Sequence, residues 1–478
     1  MSRSKLLRGG IWLTAGNALS AGASFLRNII VARLVSVEDF GIVVLLSMVL
    51  SIAEMVSYVA IDRLLVQAPD GDDPNLQASA HALQVLRGVF SGIILFLTAS
   101  WIAILFKIPQ ATWALQVLAI VPLIRSFMHL DTVRFQREMN YRPTFWVDAF
   151  PQVLSLVSAI PLTYWLCDYS AIVWATLIQA LAQCCVTHLL ANRRYRWTWD
   201  RTRVVRILSF GWPLLINSLL MFAIIQGDTD VIAVAFSTEV VGWFGAAVML
   251  SMAPALLVTS VLHRLLLPVL ARHQNALDEF CTRYKLVVQF CLVAGLLTAV
   301  IFCVVGPELL ILFFGSRYHE GSNVVIFLGL AQGVRVAKSG QVISSMALGR
   351  TKDPLIANLA RAATLFLAIV LVSMDFGPSA VALTGLIGEL IAYAIAMQLV
   401  SIGIKISAIR QIPLLLVWVA FSVISWFVGV GLRGYENLLI HFLIFILWLI
   451  IAVLVFSFLS PEIRSNMICL LARRKLKK

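Results

Sequence analysis

The chain has 478 residues, of which 60% are hydrophobic and 13% charged, and its mean hydropathy is +0.93. A soluble domain carries about a quarter charged residues, so a water-surrounded globule is excluded. The formal net charge of +13 would suggest nucleic acid in a soluble protein; here membrane topology is the alternative, and the distribution of the charges decides.

Apolar runs of about twenty residues, each long enough to cross the hydrocarbon core, recur from end to end. They predict an all-α polytopic membrane bundle of about fourteen helices. An outer-membrane barrel is excluded, because its strands would alternate apolar and polar residues. The N-terminal MSRSKLLRGG leads into a long apolar run with no small-residue cleavage site, which reads as a retained first span at 10–32 and no signal peptide. That span carries Arg27, at a depth where a charge costs roughly 2.5–3.5 kcal/mol. The second, 41–61, carries Glu54. Spans at 81–106, 112–130, 144–165 and 170–191 follow, with Arg87, Arg125 and Asp148 near predicted cytoplasmic ends. The seventh, 208–235, bears Asp228 and Asp230 late in its run. Next come 241–262, 285–304, 323–347, 355–374 and 379–401. The tenth of the series holds Arg335 and Lys338 one turn apart on one face. The eleventh holds Arg361 near an end, and the twelfth Glu389 at its middle. Two further spans, 412–431 and 438–459, precede the basic tail ARRKLKK.

With both termini cytoplasmic, about 27 of the 37 Lys and Arg fall on the cytoplasmic side and about four on the other. That asymmetry sets the orientation of a multi-pass protein of the bacterial inner membrane and accounts for the net charge without nucleic acid. The basic runs at 193–206 and 473–478 are placed to touch anionic lipid, at about 1 kcal/mol per residue. No loop exceeds about twenty residues by this span count, so no extramembrane domain is expected. The seven cysteines show no metal-ligand spacing and read as small apolar fillers.

The chain also repeats itself weakly. A shift of 201 aligns Ser36, Glu38 and Gly41 of SVEDFG with Ser237, Glu239 and Gly242 of STEVVG. This predicts an N-lobe over 1–207 (six spans), a C-lobe over 208–405 (six spans) and two appended helices with a basic tail over 406–478. Two lobes of this kind build a central cavity suited to alternating access.

Ionisable residues inside a membrane face a bundle interior or a watery cavity. Arg87, Arg125, Asp148 and Arg361 are close enough to span ends to snorkel, so both readings stay open for them. The deeper charges place the first, second, seventh and tenth spans around the cavity. Arg335 and Lys338 repel each other unless an anion lies between them, and a diphosphate suits: guanidinium forks grip its oxygens in pairs while the ammonium adds a point charge. The candidate substrate-binding set is therefore Arg27, Arg335, Lys338, Arg87 and Arg361. Glu54, Asp228, Asp230 and Glu389 are the charge-balance or ion-coupling candidates. The competing structural reading pairs Arg27 with Glu54 or Asp228, and Arg335 and Lys338 with Glu389. Asp228-Thr229-Asp230 spells the DxD used by some membrane glycosyltransferases to hold a metal and a sugar diphosphate, but those enzymes need large extracytoplasmic loops. No metal-binding histidine spacing and no phosphate-binding glycine loop appears.

Several motifs resemble one family. They are Ala32-Arg33-Leu34 followed by Glu38-Asp39-Phe40-Gly41, the basic segment Arg134 to Tyr141, and Asp228 and Asp230 ahead of Val241-Gly242-Trp243-Phe244. Phe314-Gly315 with Tyr318, and Ala347-Leu348-Gly349-Arg350, complete the set. In order and spacing the chain resembles the oligosaccharide flippases (Wzx-type) of bacterial surface-polysaccharide pathways, closest to their colanic-acid-exporter-like branch. These belong to the exporter superfamily that also contains multidrug exporters and the lipid II flippase. One departure is Val35-Ser36-Val37 where Leu-Gly-Pro is usual. The resemblance implies a transporter and not an enzyme. It would flip a polyprenyl-diphosphate-linked oligosaccharide by alternating access, with the tail in a groove at the last two helices. It implies no cofactor, an unassigned coupling ion (Na⁺ or H⁺), and partners limited to the lipid-linked sugar, the bilayer and the polysaccharide polymerase machinery. The rival is an ion-coupled drug antiporter of the same superfamily, with a membrane glycosyltransferase or polymerase behind it.

Overall fold

The computed structural model describes residues 3–57, 59–404, 411–432 and 446–451, and among them every regular element is helical. In chain order these are α1 (Arg3–Leu34), α2 (Val37–Val56), α3 (Ile61–Gln67), α4 (Pro74–Leu105), α5 (Thr112–Leu118), α6 (Ile120–Ser126), α7 (Asp131–Arg137) and α8 (Arg142–Leu166). Then follow α9 (Ser170–Leu189), α10 (Arg201–Ala235), α11 (Thr238–Ala271), α12 (Leu277–Phe314), α13 (Ser322–Ala347), α14 (Lys352–Ser373), α15 (Pro378–Ile404) and α16 (Ile412–Leu432). Without water in the hydrocarbon, backbone N–H and C=O groups must pair within their own segment, and a helix does this for every residue. The all-α membrane reading holds.

The first thirteen predicted spans fall on helices, and the span at 438–459 lies largely outside the described residues. The fourth is broken: α5 ends and α6 begins at Ala119, three residues before Pro122. The proline ring removes one backbone donor and crowds the carbonyl four residues back. Among the described residues ten helices are long and apolar enough to cross a membrane, and a bent pair, Pro109–Ser126 with Asp131–Arg137, makes an eleventh. Neither α1 nor α13 is among the ten. Both are long, but α1 spends positions on Asn17, Ser20, Ser24 and Arg27, and α13 on Gln332, Arg335, Lys338 and Gln341.

The chain divides into two compact units. The first is Met1–Gln226 with Ala233–Gly242; the second is Gly227–Ile232 with the chain from Trp243 on. Within the second, Phe280, Tyr284, Val288, Cys291 and Leu292 of α12 form the core against α13 and α15.

Within the first unit the internal repeat becomes a physical contact. Ser36, where the family pattern has glycine, caps α2 by accepting from the Asp39 amide at 3.0 Å, and Glu38 and Asp39 sit in the positive first turn. The turn this makes lies against its repeat counterpart. A methyl group on Gly41 would overlap the Thr238 carbonyl, and one on Gly242 would overlap the Val37 carbonyl. Val37 and Thr238 are themselves related by the same shift, so the contact is reciprocal. Gly41→Ala and Gly242→Ala each force backbone apart, and each should lower stability by about 1–3 kcal/mol in detergent-solubilised unfolding. A silent Gly41→Ala would mean the turns do not touch as described.

Candidate functional site

The first unit holds an open cavity of about 760 Å³, within the usual size range of ligand sites. Most of its lining residues carry hydrogen-bonding side chains, among them Asn17, Ser20 and Ser24 from α1, Gln84 and Ser91 from α4, Gln152 from α8, Gln179 and Gln183 from α9. Charges line it too. Glu54 of α2 accepts from Arg125 of α6 at 2.5 Å, and Asp62, Asp148 and Arg87 complete the set. Arg125 and Asp148 therefore face this cavity. Of the four spans expected around a cavity, α1 and α2 line this one, and α3, α4, α6, α7, α8 and α9 with residues 128–130 supply the rest.

Arg27 stands behind one wall. It donates to Ser155 Oγ at 2.8 Å and to Gln179 Oε1 at 2.9 Å, tying α1 to α8 and α9. Neither Glu54 nor Asp228 is its partner: Glu54 holds Arg125 and Asp228 holds Arg361. Among the described residues Arg27 has only neutral acceptors.

Beside the cavity runs an apolar groove of about 650 Å³, lined by the second half of α2, by α4 and by Leu208 and Leu215 of α10. On α4 its lining reaches from Leu83 through Phe90 and Ile94 to Leu105. At about 1.5 Å per residue that is roughly 33 Å, close to the thickness of the hydrocarbon core. Ser57, Arg87 and Ser91 line both the groove and the cavity. Arg87 thus marks the junction of a polar space and an apolar one.

The second unit holds the other charges as a closed network. Glu389 of α15, 1% exposed, accepts from Arg335 Nη2 at 2.7 Å and from Lys338 Nζ at 2.8 Å. Arg361 Nε lies 3.7 Å from the same carboxylate, and Arg361 Nη2 donates to Asp228 at 2.6 Å. The anion that separates Arg335 from Lys338 is the chain's own Glu389. Arg361 does not snorkel; it is 2% exposed and packs where α15 has Gly385 and Gly388. A methyl on Gly388 would overlap Thr364, so α15 can come this close only without a side chain there. Three cations against the Glu389 and Asp228 carboxylates leave one positive charge. Asp230 has a buried carboxylate oxygen with no hydrogen-bond partner among the described residues.

The cavity amides went unseen in the sequence because a search for charges passes over neutral residues. The signal was a glutamine recurring once or twice per span at 84, 152, 179 and 183. Three histidines also converge, with His129 5.0 Å from His81 and 5.4 Å from His188, ring centre to centre. No group of three His, Cys, Asp or Glu among the described residues is arranged to hold a metal ion.

A family model described as polysaccharide biosynthesis protein matches residues 30–323. An uncharacterized membrane protein in the cps region of Klebsiella pneumoniae is 17% identical over 323 residues, 66% of this chain and 65% of that protein. The chain thus spans less than two thirds of that relative's length. Among solved structures, the lipid II flippase MurJ in an inward closed conformation has a TM-score of 0.71 at 17% identity, covering 96% of this chain and all of that one. An inward-facing multidrug resistance MATE family transporter of the MOP superfamily has a TM-score of 0.64 at 15% identity, covering 83% and 98%. These likenesses show a shared fold.

Removing one partner of a buried ion pair leaves a stranded charge, at about 3–5 kcal/mol. Glu389→Gln should therefore destabilise the protein by about that much in detergent unfolding. Arg27→Gln, whose partners are neutral, should cost about 1 kcal/mol. Equal losses in the two variants would show that Glu389 is not the hub of the network.

Proposed function

The chain belongs to the polysaccharide biosynthesis protein family, and on that premise we propose that it flips a polyprenyl-diphosphate-linked oligosaccharide across the bacterial inner membrane for surface polysaccharide synthesis. The observation that carries this reading is the order of surfaces in the first unit: apolar groove, then Arg87, then amide-lined cavity. A lipid-linked sugar has the same order of parts. Its isoprenoid tail suits the groove, its diphosphate suits a guanidinium that can grip two oxygens, and its hydroxyls suit Asn, Gln and Ser side chains, which donate and accept, and Asp carboxylates, which accept. One amphiphile can fill both spaces at once, whereas a soluble sugar nucleotide would leave the groove empty.

The groove at α2, α4 and α10 is a different place from the last two helices, where the resemblance alone would put the tail. The cavity is also of mixed charge, with amide and hydroxyl side chains among its lining, so the sugar, more than the diphosphate, would fill it. In this reading both termini are cytoplasmic, and the head enters from the cytoplasmic leaflet before release on the far side by alternating access. The protein acts on the position of its substrate and breaks no bond in it. Arg335, Lys338 and Arg361 already have Glu389 and Asp228 as counter-ions. Their proposed part is charge balance and ion coupling, in which a Na⁺ ion or a proton competes for the carboxylates. A drug antiporter for cations, the second reading, would place a carboxylate at the junction, where this chain has Arg87.

Deletion of the gene should make lipid extracts accumulate a defined polyprenyl-diphosphate oligosaccharide by mass spectrometry, with loss of the surface polymer. Arg87→Glu at normal membrane abundance should cut export about ten-fold or more, the loss of a charge-assisted contact at the head, while Arg87→Lys keeps part of it. An unchanged lipid pool with new drug sensitivity in the deletion strain would move the protein to the antiporter reading.

A further inference from the structure

A second, smaller polar pocket of about 230 Å³ lies at the start of α4, away from the groove and cavity junction. Its floor is one stripe of α4, Pro74, Gln77, Ala78 and His81, and its rim is Arg193, Arg194 and Arg196 from the segment that joins α9 to α10. That segment is held in place. His81 Nδ1 donates to the Arg196 carbonyl at 2.9 Å while its Nε2 accepts from the Leu130 amide at 3.0 Å, and the Thr198 amide donates to the Ala78 carbonyl at 3.2 Å. The imidazole is therefore neutral and serves as wall.

The acids around the pocket are already engaged. Asp72 takes Arg193 at 2.9 Å, Asp131 takes Arg134 at 2.8 Å, Asp73 and Asp200 take Arg203 at 3.3 and 3.0 Å, and Asp70 takes Arg206 at 2.6 Å. Arg194 and Arg196 are exposed, and among the described residues neither lies within ion-pair distance of a carboxylate. Gln77 supplies an independent pointer. It is 6% exposed, its Oε1 accepts from Arg193 at 3.3 Å, and its Nε2 has no partner among the described residues. Because a guanidinium only donates, the amide must turn its oxygen to Arg193. That leaves the buried N–H₂ of this pocket-lining residue without an acceptor among the described residues, and an unmet buried donor is costly. Two free guanidinium groups and one orphan amide donor ask for an oxyanion.

Trp197 and Trp199, 70% and 60% exposed, follow directly in the same segment. Indoles concentrate at the headgroup level of a bilayer, and the pocket sits at the end of a 32-residue helix longer than the hydrocarbon is thick. We propose that this pocket binds the phosphoryl group of an anionic membrane phospholipid, with Arg194, Arg196 and the Gln77 amide as donors and the two indoles against the headgroup layer. The site would anchor the α9–α10 segment to one leaflet, and it stands whatever substrate the cavity takes.

The test is a titration of the full-length protein in neutral detergent micelles, read by its thermal unfolding midpoint. Phosphatidylglycerol should raise the midpoint saturably, while phosphatidylcholine and inorganic phosphate at the same concentration should not. At about 1 kcal/mol per arginine near a membrane surface, Arg194→Gln and Arg196→Gln should each weaken the phosphatidylglycerol affinity about five-fold. Gln77→Leu should weaken it as well, and Arg317→Gln, an exposed arginine outside the basic run and the pocket, should leave it unchanged. Should Gln77→Leu fail to fold, the two exposed arginine variants decide alone. An unchanged affinity in the Arg194→Gln, Arg196→Gln double variant overturns the site. So does an equal response to both lipids, or the same shift with inorganic phosphate, which would make it an anion site without a lipid.

Discussion

An ion in hydrocarbon is expensive, and the way each buried charge of this chain meets that cost shapes both units. A charged side chain at the bilayer centre must find a counter-ion, a hydrogen-bonding shell or water. The second unit uses counter-ions: Glu389 sits among three cations, and Asp228 closes the far side of Arg361. Such a cluster is worth little as net stability, because desolvation offsets most of the attraction, but it is intolerant of losing a member. The first unit uses a shell and a cavity. Arg27 is held by a hydroxyl and an amide, Arg125 pairs with Glu54 at the wall of a polar space, and Arg87 stands at the same wall.

The difference between the units bears on what each can do. A network whose charges already answer one another changes only when something competes for a partner, which suits an ion or a proton. A cavity lined by amides and hydroxyls as well as by charges offers a ligand donors and acceptors that neutral hydroxyl groups can match. Helix α4 separates the two environments of the first unit by periodicity alone. Gln84, Gly88 and Ser91 form the stripe toward the cavity, and Leu83, Leu86, Phe90 and Ile94 form the stripe toward the groove. Positions three and four residues apart share a helix face, so one apolar span presents a polar wall and a lipid-like wall together, with Arg87 on their border.

Some features of the repeat became intelligible only as contact. The aligned glycines at 41 and 242 each make room for the backbone carbonyl of the other's turn. The departure at Ser36 is likewise local chemistry. A serine at the start of α2 accepts from the Asp39 amide and satisfies one of the free donors there, so the turn keeps a defined entry without glycine and proline.

The helices were legible in the sequence because apolar run length is a local property, and the bilayer makes it sufficient: a long enough apolar run with paired backbone has one stable form. The charges at Arg27, Glu54, Asp228, Arg335, Lys338, Arg361 and Glu389 were legible for the same reason, as exceptions to that rule. Their partners were not. Arg27 meets residues 128 and 152 positions away, and Arg335 meets Glu389 across 54. Which helix faces turn toward each other is decided by packing and not by hydropathy. The cavity amides, the groove on α4 and the pocket under Arg194 and Arg196 share that origin. The amides and the groove residues are unremarkable in their own segments, and the basic run at 193–206 stood out only as charge; the tertiary structure alone brings each set together.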